Sequence, residues 1–102
     1  MSDSPPATAD AAIGALRRTL AITNKRGLHA RAAAKFVRTA GQFDAAVRVS
    51  FKGQEVSGLS IMGLMMLAAG IGSTIELVCS GRQATEAMVA LSALVEGKFG
   101  EE

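Results

Sequence analysis

The sequence predicts an α+β domain in two layers, with helices on one face of a sheet and the element order β-α-β-β-α-β-α. Three observations lead there. Apolar residues alternate with a period of two in several short segments, and they recur at i, i+3, i+4 and i+7 in longer ones. Sheet and helices each show essentially one apolar face, so each layer must cover the other. The chain has 102 residues, 49% of them hydrophobic, which is enough for one modest core and too little for two lobes around a cleft.

Residues 1–14 are mostly Ser, Pro, Ala and Asp with little to bury, and are read as a disordered tail. The folded domain is expected over 15–102. Leu16, Arg18, Leu20 and Ile22 share one face of a first strand, and NKRG at 24–27 stops it. From 30 to 40, Ala33, Phe36, Val37 and Ala40 build one apolar helix face, with Arg31, Lys35 and Arg38 opposite and Gly41 as the stop. His29 falls at or beside the N-cap of that helix. Val47, Val49 and Phe51 alternate with Arg48, Ser50 and Lys52, and Lys52-Gly53 reads as a hairpin turn into a short strand over 54–57.

A short helix is predicted over 60–69 with Ser60 as N-cap, ended by Gly70 and Gly72. It is apolar nearly all round, more than a two-layer fold can bury. Ile75, Leu77 and Cys79 mark the last strand. Residues 82–99 close the chain as an amphipathic helix with Ala84, Met88, Leu91 and Val95 at helical spacing.

Composition excludes several function classes. Cys79 and His29 are each the single residue of their type, so disulfides, cysteine clusters and two-histidine metal motifs are out. No cofactor is expected. The longest apolar run is far below the ~20 residues that cross a bilayer. There is no secretory signal, and with a free thiol this points to the cytoplasm. The net charge of +2 conceals an asymmetry: seven of the eleven basic residues lie between Arg17 and Phe43, where there is no acid. Such a segment suits a small anion or an acidic partner. A nucleic-acid-binding role is opposed by the scarcity of aromatics and by the acids elsewhere.

Chemistry concentrates in GLHAR. Neutral imidazole is nucleophilic at cytosolic pH. The helix N-terminus that follows His29 supplies unpaired N–H groups and positive partial charge for a phosphate. Arg31 can add a charge-assisted hydrogen bond to phosphate oxygens. Phosphoryl transfer asks mainly for positioning and charge stabilisation, and these residues can supply both. No third residue that would orient the imidazole is visible, and a hydrolytic triad is not expected. Ser60 reads first as a helix cap, although a phosphate there would also be favourable, with Ser57 as a neighbouring competitor. Met62, Met65, Met66 and Leu67 cannot all face the sheet, so an exposed apolar docking patch is expected, bordered by the basic face of the preceding helix. Cys79 reads as a core residue. Gly70, Gly72 and Ser73 lack a following Lys and form no phosphate-binding loop.

The two stretches NKRGLHARAAAKFV and SGLSIMGLMMLAAGIGSTIEL, in this order and spacing, resemble the HPr family. These are the histidine-containing phosphocarriers of the bacterial phosphoenolpyruvate:sugar phosphotransferase system and its nitrogen-related branch. The resemblance covers nearly the whole chain after the tail. It implies an open-faced β-sandwich with an antiparallel sheet in the order 1-4-2-3. It implies that enzyme I, charged by phosphoenolpyruvate, phosphorylates His29 on Nδ1, that Arg31 stabilises the phosphohistidine, and that an enzyme IIA domain receives the group. Ser60 matches the family's regulatory serine, the target of an HPr kinase/phosphorylase in many bacteria. Ala34, Arg38, Ile61, Met62 and Met65 match its docking surface. A carrier of this kind has no independent turnover, and a monomer is the simplest expectation.

Two departures stand out. Ala32-Ala33 replaces a common Pro-Ala after the arginine, which leaves a less rigid helix start. Leu59 precedes the serine where Lys is frequent, which enlarges the apolar patch and weakens the carry-over of serine-kinase recognition. Leu59 also keeps open an alternative function: a regulatory protein whose His29 phosphorylation state is read by non-transport partners of the nitrogen-type system.

Overall fold

The computed structural model describes residues 15–101, and the tail expected over 1–14 lies outside the described residues. The elements run β1 (Leu16–Ala21), α1 (Ala30–Ala40), β2 (Ala46–Phe51), β3 (Gln54–Ser57), α2 (Ile61–Met66), β4 (Thr74–Ser80) and α3 (Ala84–Glu96). A short turn, Lys98–Gly100, follows. The four strands form one antiparallel sheet in the order β1-β4-β2-β3. Leu20 lies opposite Ile75, Val47 opposite Cys79 and Val49 opposite Leu77, so one face of the sheet is continuous and apolar. Phe36, Leu64 and Leu91 bring the three helices onto that face, and all are fully buried. The other face carries the Arg17–Glu76 and Arg48–Glu55 ion pairs and stays open. Exposed pairs of this kind contribute at most about 1 kcal/mol each, so the sheet is held to the helices by its apolar side.

Local chemistry explains most boundaries. Lys52 and Gly53 both have positive φ, 50° and 80°, the geometry of a tight hairpin turn whose twist suits flanking strands. Two boundaries differ from the expected ones. The helix after Ser60 ends at Met66, before the predicted glycines, because Ala68 turns left-handed at φ 56°. That turn buries Ala69 and lets its carbonyl accept the Leu28 N–H at 3.0 Å. The last helix ends at Glu96 rather than at Phe99. Beyond Gly97, Lys98, Phe99 and Gly100 are all left-handed, and this folds Phe99 into the core. The Phe99 carbonyl accepts from Lys35 Nζ at 2.7 Å, which ties the turn to α1.

The β1–α1 loop is seated on the α2–β4 loop with no room for a side chain between them. At Gly27 (φ 64°), an added Cβ would lie 2.5 Å from the Ala69 oxygen and 2.7 Å from the Gly70 Cα. Both neighbours are backbone and cannot swing aside. Gly27→Ala is therefore expected to destabilise the protein by at least about 2 kcal/mol, from left-handed strain plus overpacking. Urea denaturation of the variant against the parent chain checks this.

Candidate functional site

His29 is the N-cap of α1, with extended backbone angles of −75° and 179°. Its side chain makes no capping hydrogen bond, and the first turn holds no acid. The first helical bond runs from the Ala33 N–H to the His29 carbonyl, at 2.8 Å. The N–H groups of Ala30, Arg31 and Ala32 therefore precede the helix ladder and have no partner within it. Buried Ala32 and Ala33 anchor the start of the helix where proline is absent. The ring stands at an electropositive helix end, one residue beyond the Leu28 N–H bond to the Ala69 carbonyl.

Glu101 is the partner the sequence does not reveal. Its Oε2 is hydrogen-bonded to His29 Nε2, and its Oε1 accepts from Asn24 Nδ2 at 3.1 Å. Asn24 is fully buried, and Nδ2 also donates to the Gly27 carbonyl at 2.8 Å. Both partners are acceptors, which fixes the direction of the amide. The His29 and Glu101 side chains are only 14% and 19% exposed. Lys25, Arg26 and Arg31 line a shallow depression of about 220 Å³ together with Glu101. The expectation that no third residue orients the imidazole is thus corrected. Glu101 lies 72 residues along the chain from His29 and reaches it through the left-handed turn after α3. Gly97 and Gly100 are the local signal for a turn there, inside and just beyond the helix expected over 82–99, but no local pattern shows which side chain that turn would deliver.

Burial raises the Glu101 pKa, but the hydrogen bonds to His29 and Asn24, with the electrostatic attraction of the same ring and of Arg26, outweigh it and hold the carboxyl below its usual range. A depressed folded-state value means that the contact's stabilisation is fully present above the unfolded glutamate value of about 4.3 and is lost as pH falls through the folded value. Carbon NMR of the Glu101 carboxyl is expected to show a midpoint below that of the acid-unfolded chain. The Asn24 contact should disappear with the same midpoint.

Ser60 caps α2, its Oγ accepting from the Gly63 N–H at 2.9 Å. Ser57 Oγ accepts from the Leu59 N–H at 3.1 Å, so both hydroxyls serve the same turn. Of the apolar run, Leu64 and Leu67 are buried, whereas Met62 and Met66 are 68% and 72% exposed and Ile61 and Met65 lie at the edge. Helices α1 and α2 pack against each other. Half-buried Ala34 and exposed Arg38 on α1 thus share the helical side of the domain with Ile61, Met62 and Met65. Cys79 is fully buried, and burial pushes its thiol up to about 11, far from a reactive thiolate. Replacing Ser60 by Ala removes the cap and is expected to cost about 1 kcal/mol, while Ser60→Asp retains an acceptor and most of the stability. Paired denaturation curves distinguish them.

The open-faced sandwich presents His29 at a helix N-terminus beside Lys25, Arg26 and Arg31, a setting suited to a small anionic group. Comparison with known proteins agrees. Residues 16–97 match the family described as the PTS HPr component phosphorylation site. The phosphocarrier protein HPr of Cupriavidus necator is 54% identical over 86 residues, covering 84% of this chain and 97% of that protein. The phosphocarrier protein NPr of Shewanella violacea is 44% identical over 86 residues, 84% of this chain and 94% of its own. The crystal structure of HPr from Thermoanaerobacter tengcongensis superposes with a TM-score of 0.82 at 44% identity, covering 85% of this chain and 98% of that one. The chain belongs to the HPr family of the phosphotransferase system and is a phosphocarrier.

Proposed function

We propose that His29 accepts a phosphoryl group on Nδ1 from enzyme I charged by phosphoenolpyruvate and passes it to an enzyme IIA domain. The observation that carries this reading is the placement of His29 as an N-cap whose ring does not cap. The ring spends no nitrogen on capping, with Nε2 engaged by Glu101, and the first-turn N–H groups are left for phosphate oxygens. Arg31, on the rim of the adjacent depression, offsets phosphate charge. Ala34, Arg38, Ile61, Met62 and Met65 form the docking surface, apolar at its centre and basic at its rim, which suits a partner face with acids around an apolar middle. Ser60 is a second, regulatory phosphorylation site for an HPr kinase/phosphorylase. A phosphate there would adjoin Ile61 and Met62 and place charge on the docking surface. Exposed Leu59 and the similarity to an NPr protein support a second reading, in which non-transport partners read the state of His29. The two readings share the chemistry and differ in the protein that docks.

Incubation with phosphoenolpyruvate and the cognate enzyme I, followed by intact mass measurement, tests the carrier reading. One acid-labile phosphoryl group is expected, absent in His29→Ala. Arg31→Ala is expected to slow the gain about 10- to 100-fold, the kinetic equivalent of one charge-assisted hydrogen bond. A parent chain that gains no mass overturns the reading.

A further inference from the structure

Among the described residues, the sulfur atoms fall into two groups. Cys79 is fully buried and Met88 is 8% exposed. Met62, Met65 and Met66 stand out from one short helix, with Met62 and Met66 neighbours on its surface at i and i+4. None of the three anchors that helix. Leu64 and Leu67 are buried beneath it, and the bond from the Gly63 N–H to Ser60 Oγ closes its first turn. Met66 also lines an open groove of about 360 Å³ with Val56 and Leu67, which leaves room for another atom on sulfur. We propose that Met62, Met65 and Met66 form a reversible oxidation site: a peroxide converts them to sulfoxides, which weakens the binding of partner proteins at α2 and leaves the fold intact. The inference rests on the reading of α2 as a docking surface and adds a redox input to it.

The step is a two-electron oxidation at sulfur. With hydrogen peroxide, a thioether lone pair attacks one peroxide oxygen, so that the S–O bond forms and the O–O bond breaks. The departing hydroxide keeps the electron pair of that bond and takes the proton from the transferred oxygen. One sulfoxide and one water result. Reversal uses two thiols, which are oxidised to a disulfide while the oxygen leaves as water. Cys79 does not compete for the oxidant, because its thiol is inaccessible and stays protonated. A partner pocket that accepts an apolar methionine must bury a strong acceptor once the sulfur is oxidised, and this costs affinity wherever no donor faces it. In the free protein the same oxygens remain in water, so folding is untouched.

The test treats the full chain with hydrogen peroxide and then removes the oxidant with catalase. Peptide mass mapping, thermal denaturation and calorimetric titration with the cognate enzyme I follow. Met62 and Met66 are expected to gain oxygen first, Met65 next and Met88 last, with the melting curve unchanged. Affinity for enzyme I is expected to fall about tenfold or more. It is expected to return after incubation with both methionine sulfoxide reductases and dithiothreitol. The triple variant Met62→Leu, Met65→Leu, Met66→Leu keeps apolar volume without the reactive sulfurs. Compared with itself before and after peroxide, it is expected to show no change in affinity. Oxidation of Met88 as fast as of Met62, a lowered melting temperature, or an affinity that peroxide does not move overturns the proposal. So does a loss of affinity that persists in the triple variant. A parent chain that fails to bind enzyme I before any peroxide is added overturns the docking reading itself, and the oxidation site with it.

Discussion

The backbone of Gly27 and Leu28 rests directly on that of Ala69 and Gly70, and the reactive end of the molecule is built on this contact. The Leu28 N–H to Ala69 carbonyl bond joins two loops far apart in sequence, and the missing Cβ of Gly27 is what permits the approach. Once it is made, Leu28 is buried and the next residue, His29, must start a helix at the domain edge. Ala68 is held left-handed on the other side of the same contact. A non-glycine residue keeps such a conformation only where the surroundings over-determine it. Here they do so with a buried Ala69 and an apolar floor beneath both loops.

Around that contact the charges divide unevenly. Lys25, Arg26 and Arg31 surround the depression beside His29, and Glu101 is the acid that lines it with them. A cationic rim raises the local concentration of an anionic group. Among the described residues that line the depression, Glu101 is the acid, and its carboxylate faces the His29 ring nitrogen. Asn24 and Arg26 both favour its ionised form, so the carboxylate stays charged through the physiological range. Away from this end, the exposed methionines of α2 keep apolar area in water that a self-sufficient monomer core would not need. Pliant side chains of that kind suit successive partners of similar but not identical shape.

Much of the architecture was legible because it depends on short-range periodicity. Alternation at Val47, Val49 and Phe51, and again at Ile75, Leu77 and Cys79, could be satisfied only by strands with one buried face. The spacing of Ala33, Phe36 and Ala40 could be satisfied only by a helix with one buried stripe. The surplus of the Met-rich run was readable for the same reason, since six helical residues cannot turn every side chain inward. Helix ends were less legible. Ala68 and Lys98 take left-handed angles that their side chains disfavour, because burial of Ala69 and Phe99 outweighs a local preference of about 1–2 kcal/mol.

What the sequence by itself determined is therefore the element order, the buried faces, and the concentration of His29, Arg31 and cationic neighbours at one helix start. Periodicity and capping act over a few residues and leave their mark locally. Only the tertiary structure decided that Asn24 and Glu101 meet His29. That meeting depends on where a left-handed turn after α3 falls on the β1–α1 loop, a matter of two distant segments packed on a shared core, which no local pattern along the chain encodes.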